Sequence, residues 1–428
     1  MSSFRSTLVP PAVLVAIDVA KDRSQLFVEY PNGSHKSLSI RHTHEDVGQL
    51  MRTLKRFKLP IRAAFEATGD YHRPLAAMLA AHGVELHLVS SIATNRTREA
   101  LYNTWDKNDP RDAQVILHLL KTGSTQIYHD AFLNAYDDLQ ELSNTYYNVS
   151  KRKTRMYHTL VTHYLPLYFP EAEPYISSSR CEWFIRVLMM APCPAAILRY
   201  SKRTFIEAAS AIQYRKFDRT RWLGDLYEAA KNSAGVPVTE QSEAVTMFRL
   251  VLEEYLHVCR LREAIEQRIT QRMSNHPDYL RLQTIPGVGP VLALTILAEA
   301  GDLRRFAHYR QFLKYCGFDL ATEQSGKAHG TTKLSKRGNA RLRCAFWMAG
   351  VVAIHKRENT FRAKYETYVK DNPKNPDLKR KAYTAVAAKV ARVAHALIKH
   401  GADYRRFNAA IPSGRTSSQR AVEALATS

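Results

Sequence analysis

The sequence predicts an α/β domain at the N-terminus, a helical middle region and a mainly helical C-terminal domain. Three observations support this fold class. Over roughly the first 125 residues, short β-branched runs alternate with segments of helical spacing. From about residue 130 to about residue 275, helical periodicity replaces the strand signals. Beyond that point, glycine-containing motifs and a surplus of basic residues precede further helical segments.

The N-terminal elements follow one another as three strands and then alternating helices and strands. Pro31-Asn32-Gly33 is a hairpin turn, so we expect the first three strands to form an antiparallel meander. Each later strand follows a helix, which is typical of parallel crossover units. The predicted strands are Leu14–Val19, Ser24–Tyr30, Ser37–Arg41, Ile61–Glu66 and Val84–Val89, and the predicted helices are His44–Phe57, Pro74–His82, Ala93–Tyr102 and Pro110–Leu120. This order is that of the RNase H-like fold.

The 428 residues are enough for two or three domains with cores of their own. In Met247–Met273, three apolar residues recur every seven positions, which predicts a long amphipathic or coiled-coil helix. The predicted domains are 12–125 (α/β), 130–275 (a helical, coiled-coil region), 278–410 (C-terminal) and 411–428 (a mobile tail).

The formal net charge of +22 is concentrated near the C-terminus. Residues 1–300 carry 36 basic and 31 acidic groups, whereas residues 301–428 carry 26 and 9. Such a surplus indicates a polyanionic partner, nucleic acid before membrane. No apolar stretch is long enough to span a bilayer and no signal peptide is recognised, so we expect a soluble, cytoplasmic and nucleoid-associated protein. Five scattered cysteines without a CxxC pair disfavour a zinc site.

Four carboxylates are candidate metal ligands. Asp18 lies in an apolar strand and Glu66 ends another, and burial of either carboxylate requires a compensating partner. Asp109 and Asp112 are three residues apart at a helix start, on one face. Four converging carboxylates suit Mg²⁺ or Mn²⁺, and paired ions of this kind serve phosphodiester chemistry. Asp109 as a helix N-cap and Asp112 as a first-turn residue remain the alternative interpretation.

Two motifs in the last third predict contacts with nucleic acid. Ile285-Pro286-Gly287-Val288-Gly289 is typical of a helix-hairpin-helix, in which Gly287 and Gly289 expose N–H groups to a phosphate; a plain connection between helices is the alternative. Further on, Lys327, Lys336, Arg337 and Arg341 lie among small residues and are candidates for gripping a DNA backbone. Ser325 lies between these motifs, and as a nucleophile it needs a base, a metal or a cationic cluster nearby.

The motifs together resemble one family. They are Ala16-Ile17-Asp18-Val19-Ala20-Lys21-Asp22, Phe65-Glu66-Ala67-Thr68-Gly69, Lys107-Asn108-Asp109-Pro110-Arg111-Asp112-Ala113, Ile285-Pro286-Gly287-Val288-Gly289 and Leu334-Ser335-Lys336-Arg337-Gly338-Asn339. Their set resembles the DEDD transposases of insertion sequences, a family that also includes Piv-type site-specific DNA invertases.

The resemblance implies a catalytic tetrad of Asp18, Glu66, Asp109 and Asp112 with Mg²⁺ or Mn²⁺, and a serine nucleophile in the C-terminal domain. The nucleophile maps onto Ser325, with Ser335 as the alternative, because relatives carry a longer serine run here. The family also implies double-stranded DNA as substrate, a guide RNA encoded by the element, and a homo-oligomer, either a dimer or a tetramer. It further implies that the helical region 130–275 is where the subunits dimerise. Serine and carboxylates are then expected to meet from different subunits.

Two other functions remain open at this point. In a resolvase-type nuclease, water attacks the phosphodiester and Ser325 is structural. In a non-catalytic nucleic-acid-binding protein, neither the metal nor the carboxylates matter. The sequence does not separate a transposase from a Piv-like invertase.

Overall fold

The computed structural model describes residues 11–67, 69–102, 109–128, 137–176, 181–212, 220–322, 324–325, 328–329, 332–356 and 359–405. Only the backbone is described at residues 109, 110, 137, 138, 181, 324, 325, 328 and 329. The chain divides into two compact units, residues 1–135 and 136–428. The sequence predicts domain boundaries at residues 125 and 410 and a further division of the second unit near residue 275. These boundaries stay predictions.

The first unit is built on a six-stranded mixed sheet with the order β3-β2-β1-β4-β5-β6. β1, β2 and β3 are antiparallel, β1, β4 and β5 are parallel, and β6 is antiparallel to β5. The strands are β1 (Val13–Asp18), β2 (Arg23–Glu29), β3 (His35–Arg41), β4 (Ile61–Glu66), β5 (Glu85–Val89) and β6 (Gln126–Ile127). The predicted meander, the crossover units and the RNase H-like order are confirmed, while β6 was not predicted.

Helices cover both faces of this sheet. Successive strand residues point to opposite faces, and because most of them are apolar, both faces must be buried. On one face, Val15 and Ile17 pack with α1 and α2; on the other, Ala16 and Ala64 pack with α4. The small alanine side chains allow α4 to approach the sheet closely. The helices of this unit are α1 (His44–Lys55), α2 (His72–Ala81), α3 (Ser91–Tyr102) and α4 (Asp109–Lys121).

The second unit is mainly helical, as the sequence predicts. Its helices are α5 (Asp137–Thr159), α6 (Leu165–Tyr168), α7 (Cys181–Met190), α8 (Pro194–Leu198), α9 (Lys202–Ser210), α10 (Thr220–Lys231), α11 (Glu243–Met273), α12 (Pro277–Gln283), α13 (Pro290–Ala300), α14 (Tyr309–Tyr315), α15 (Ala340–His355), α16 (Thr360–Val369) and α17 (Pro376–His400). A π-helical turn (Leu160–Tyr164) joins α5 to α6, and 3₁₀ turns span Pro170–Tyr175 and Leu303–Arg305.

Two hydrophobic cores lie within the second unit. One gathers residues of α5 to α11, among them Trp183, Phe205 and Phe248. The other gathers residues of α12 to α17, and it also includes Leu139 from α5 and Ile269 and Met273 from α11. The long helix predicted around Met247–Met273 is therefore α11, which packs on α5 and α7 of its own chain. Its predicted role in dimerisation stays a prediction.

Two short ladders interrupt the helical pattern between α14 and α15. β7 (Leu320–Ala321) pairs with β10 (Lys333–Leu334), and between them β8 (Gln324–Ser325) pairs with β9 (Ala328–His329), both antiparallel. The hydroxyls of Thr322 and Thr332 hydrogen bond at 2.7 Å. The described backbone around Ser325 thus forms short antiparallel ladders, which the sequence did not predict. Among the described helices, none is long and apolar enough to cross a membrane.

Candidate active site and nucleic-acid interface

Asp18 and Glu66 end two neighbouring parallel strands of the first unit. β1 and β4 pair up to Ile17 and Phe65, so the two carboxylate residues follow at the same level of the sheet. Ala16 and Ala64 face α4. Because side chains alternate along a strand, Asp18 and Glu66, two residues further on, also belong to the face that α4 covers. The two residues therefore lie on one face, at the ends of adjacent strands, and their role as metal ligands stays a prediction.

Asp112 lies in the first turns of α4, four residues before Ile116, which is packed in the core beneath that helix. The helical spacing places Asp112 on the sheet-facing side, and its side chain is only 4% exposed. Asp109 begins the same helix, but its side chain lies outside the described residues. Three members of the predicted tetrad are thus carried by elements that pack against one another, and the position of the fourth carboxylate stays a prediction.

A buried arginine, which the sequence analysis did not single out, contacts Asp112. Nε of Arg98 donates to Oδ1 of Asp112 at 2.7 Å, and Nη2 lies 2.5 Å from the same oxygen. Nη1 of Arg98 donates to Oδ1 of Asn95 at 3.1 Å. Arg98 is 8% exposed. The sequence signal was a basic residue four positions after Thr94 on a polar helix, and nothing in the sequence indicates that its partner is Asp112, fourteen residues away.

The chemistry of these side chains fits a hard divalent cation. Carboxylate oxygens are the ligands that Mg²⁺ and Mn²⁺ prefer. Among the described side chains, however, no group of three or more His, Cys, Asp and Glu residues is arranged to hold a metal ion. In the described geometry, Asp112 has Arg98 as its cationic partner.

The C-terminal candidates lie on the short ladders and on the loop that follows them. Ser325 is in β8, with its backbone opposite Ala328. The side chain of Ser325 and all of Lys327 lie outside the described residues. Ser335 follows β10; its N–H donates to the Asp319 carbonyl at 2.8 Å, and its Oγ accepts from the Arg337 N–H at 3.4 Å. The Ser335 hydroxyl is thus part of the local turn.

Lys336 and Arg337 are exposed on a loop whose backbone is tightly fixed. Lys336 has a φ of 56°, an uncommon conformation for a residue with a side chain. Gly338 approaches α14 so closely that a Cβ would lie 2.5 Å from the Tyr315 carbonyl oxygen. Nη1 of Arg343 donates to the Lys336 carbonyl at 3.2 Å. The loop therefore presents two cations to solvent at defined positions, as a phosphate contact requires.

Arg341, also predicted to contact nucleic acid, is engaged within the protein. Nη1 lies 2.8 Å from Oε1 of Glu299 and also bonds to Asn144, and Nη2 donates to Oγ of Ser143 at 2.9 Å. The guanidinium carbon lies 4.9 Å from the centre of the Tyr147 ring. These contacts join α5, α13 and α15. The predicted contact of Arg341 with nucleic acid stays a prediction, and the geometry gives the residue a structural role.

The glycine motif connects α12 to α13, as a helix-hairpin-helix would. Gly287 has a φ of +91°, and a Cβ there would lie 2.2 Å from the Ala349 carbonyl oxygen on α15. Gly289 caps α13 and has open space beside it. It lines a cavity of about 810 Å³ together with Pro290, Arg262 and Glu263. Packing against α15 thus requires glycine at position 287. Both glycines line the cavity, and the phosphate contact predicted for them stays a prediction.

Comparison with known families agrees with this arrangement. The family model described as "Transposase IS116/IS110/IS902 family" matches residues 279–366, and the transposase model DEDD_Tnp_IS110 matches residues 15–170. Together the two matches span more than half of the chain. The chain belongs to the IS110/IS116/IS902 family of transposases. The first match contains the glycine hairpin, the short ladders around Ser325 and the basic loop, and the second contains all four candidate carboxylates.

Relatives within this transposase family are distant. The transposase for insertion sequence element IS1111A of Coxiella burnetii is 29% identical over 40% of this chain and 48% of its own length. The mini-circle putative transposase for IS117 of Streptomyces coelicolor is 24% identical over 68% of this chain and 70% of its own length. The IS116 44.8 kDa protein of Streptomyces clavuligerus is 24% identical over 69% and 72%. The chain thus spans about half of the first relative and rather more of the other two.

Solved structures of the Thermus thermophilus protein RuvC are similar to a part of this chain. RuvC in complex with a Holliday junction substrate covers 27% of the chain at 11% identity, with a TM-score of 0.21. A second RuvC structure covers 27% at 13% identity, with a TM-score of 0.20. For this transposase-family chain, the assignment of the fold rests on the strand order and directions described above.

Proposed function

We propose that this protein is the DNA transposase of an insertion sequence, an enzyme that cuts and rejoins double-stranded DNA. The observation that carries the proposal is the placement of Asp18 and Glu66 at the ends of adjacent parallel strands, on the face covered by the helix of Asp112. Ligand chemistry in open α/β sheets is found at such strand ends. The family match supplies the class of reaction.

Asp18, Glu66, Asp109 and Asp112 are the residues that would hold Mg²⁺ or Mn²⁺. When bound, such an ion stabilises negative charge on the phosphoryl group that is transferred. The sheet contributes by fixing Asp18 and Glu66 on neighbouring strands, and α4 contributes by holding Asp112 above the small side chains of Ala16 and Ala64. A rigid frame of this kind needs little reorganisation when the substrate binds.

For the nucleophile we propose Ser325. In this step the Ser325 oxygen forms a bond to phosphorus, the bond from phosphorus to one DNA oxygen breaks, and the hydroxyl proton leaves with a base. Lys336 and Arg337, in the same compact unit, would hold the DNA backbone through its phosphates. Ser335 is the less suitable candidate because its hydroxyl accepts a hydrogen bond within its own turn.

We further propose a guide RNA encoded by the element and a homo-oligomeric assembly in which serine and carboxylates come from different subunits. The guide RNA is supported by the charge of residues 301–428, which contain 26 basic and 9 acidic residues. That surplus exceeds what one pair of phosphate-binding cations needs, and it suits a partner with a long phosphate backbone.

The test uses the full chain with Mg²⁺, RNA transcribed from the ends of its element, and a suicide DNA substrate in which cleavage releases a short strand. A protein–DNA adduct that survives denaturation is expected from the wild type and from Ser335→Ala, and no adduct is expected from Ser325→Ala or Asp18→Asn. Cleavage that persists in Ser325→Ala without an adduct would establish a hydrolytic nuclease instead. Omitting the RNA tests the guide separately.

A further inference from the structure

The helix α3 is held to its domain in an unusual way. Its two buried side chains, Thr94 and Arg98, are both polar. Two of its apolar residues, Ile92 and Leu101, are 50% and 45% exposed. Most surface helices are held by an apolar stripe facing the core. In α3 the apolar residues Ala93 and Tyr102 are only partly buried against the core. Its fully buried contact with the neighbouring helix α4 is the ion pair between Arg98 and Asp112.

This ion pair joins two buried side chains. Nε and Nη2 of Arg98 both contact Oδ1 of Asp112. Burial of a carboxylate that is 4% exposed carries a large desolvation cost unless a cation is paired with it. Arg98 supplies this cation from within the chain.

We propose that Arg98 is the built-in counter-ion of Asp112: it offsets the carboxylate charge when no divalent ion is present, and it competes with that ion for the same charge when the ion binds. The inference rests on the proposed function, because it takes Asp112 as a metal ligand. Arg98 then acts as a positioning residue that tunes how tightly the carboxylate set holds its metal.

Loss of Arg98 should change both the stability of the folded state and its affinity for the metal. With Arg98 present, its guanidinium offsets the charge of Asp112 and so weakens the attraction of that carboxylate for a divalent cation. Removal of the guanidinium leaves Asp112 buried without its cation, so the folded state depends on another cation for compensation. A ligand that binds only the folded state stabilises it by an amount that grows with the logarithm of its affinity, so the variant gains more from the metal than the wild type does.

The experiment measures thermal unfolding of the full chain with and without saturating Mn²⁺, at one mildly alkaline pH. For Arg98→Gln without metal, we expect Tm to fall by on the order of 10 °C, the consequence of orphaning a buried charge. Mn²⁺ should recover at least half of that loss. Arg98→Lys keeps the charge and should lie between the wild type and Arg98→Gln under both conditions. An equal loss for Arg98→Gln with and without Mn²⁺ would overturn the proposal.

A second measurement covers the case in which Arg98→Gln folds poorly. The double variant Arg98→Gln/Asp112→Asn removes both charges, so it should regain most of the lost Tm and gain no extra stability from Mn²⁺. A direct titration of Mn²⁺ by electron paramagnetic resonance should show binding about fivefold tighter, or more, for Arg98→Gln than for the wild type. Unchanged or weaker binding would contradict the competition between Arg98 and the ion.

Asp18→Asn separates failure of this inference from failure of the proposed function. If Mn²⁺ shifts Tm of the wild type and of Asp18→Asn equally, the carboxylate set is not the metal site and the proposed function loses its metal. If Asp18→Asn abolishes the Mn²⁺ shift while Arg98→Gln leaves it unchanged, the metal site stands and the counter-ion role of Arg98 is wrong.

Discussion

Gly287 lies directly against the backbone of α15 at Ala349: a Cβ on Gly287 would come within 2.2 Å of the Ala349 carbonyl oxygen and 2.8 Å of the Ala353 nitrogen. The connection between α12 and α13 therefore packs directly against the backbone of α15. The left-handed φ of +91° adds a second reason for glycine.

The first prediction is that Gly287→Ala lowers the free energy of unfolding by about 3 kcal/mol or more, because close approach and backbone conformation both oppose a side chain. Denaturant unfolding of the full chain measures it. The matched control is Gly289→Ala, which has open space and an extended φ. It should cost about 1 kcal/mol, the usual loss at a helix N-cap. Equal losses for the two variants would contradict the packing described here.

The second prediction concerns Arg341. Because Glu299 has a side chain only 8% exposed, loss of the arginine leaves a buried carboxylate without its cation. Arg341→Met should therefore lower the free energy of unfolding by about 3 kcal/mol. The double variant Arg341→Met/Glu299→Gln should be distinctly more stable than the single variant. If Arg341→Met instead leaves stability intact and weakens only DNA binding, its guanidinium serves DNA and the structural role is wrong.

The third prediction concerns the two exposed cations of the basic loop. Lys336→Gln and Arg337→Gln should each weaken binding to DNA of any sequence, and each should reduce the slope of log affinity against log salt by about 1. Fluorescence anisotropy over a series of salt concentrations measures both. Arg203→Gln, an exposed arginine of α9 paired with Glu207, is the control and should leave the slope unchanged.

Lys336→Gly sharpens this test. Glycine adopts the φ of 56° without strain, so the variant should match or slightly exceed the stability of the wild type while it still loses the phosphate contact. A variant that binds DNA more weakly because it is partly unfolded would show the opposite change in stability.

The fourth prediction follows from the ion pairs of Asp278, a residue of α12 that is 5% exposed. Burial acts to raise the pKa of this carboxyl, but hydrogen bonds and charge from Arg304 and Arg281 outweigh it and hold the pKa below the usual range. A lowered folded-state pKa stabilises the protein above the unfolded pKa of about 3.9, and this stability is lost as pH falls through the folded pKa.

Asp278→Asn should accordingly cost about 3 kcal/mol near neutral pH, and its deficit relative to the wild type should shrink as pH falls below about 4. Unfolding by denaturant at several pH values measures the difference. Asp302→Asn removes a half-exposed partner of the same Arg304 and should cost much less. A deficit for Asp278→Asn that does not change with pH would show that the carboxylate charge is not what stabilises α12.

Much of the N-terminal sheet follows from the sequence because its signals are local. The apolar, β-branched run in Val13–Asp18 predicts a strand, and the turn at Pro31-Asn32-Gly33 fixes the pairing of β2 with β3, both without reference to distant residues. Strand β6 has only two residues and exists because its backbone pairs with His87 and Leu88. The ladders around Ser325 are equally short. Pairing of that kind depends on tertiary contacts, which local patterns do not encode.

The sequence likewise predicted only some residues of the candidate site. Asp18 and Glu66 were found because a carboxylate in an apolar strand is locally anomalous. Arg98 was missed because an arginine in a polar helix is ordinary until its partner is known. The sequence singled out Gly287 for a contact with phosphate, which stays a prediction; its close packing against α15 was not foreseen, because a glycine in a turn fits both roles.

The two long helices α5 and α11 limit where the chain can be divided for production of its C-terminal half. Leu139, Ile269 and Met273 are buried among residues of α12 to α17, while other parts of the same helices are buried in the core that precedes it. A fragment that starts at residue 278 would lack these three side chains and leave an apolar surface uncovered. The residues that carry Ser325 and the basic loop are therefore best produced and studied together with the preceding helices, as one cooperative folding unit.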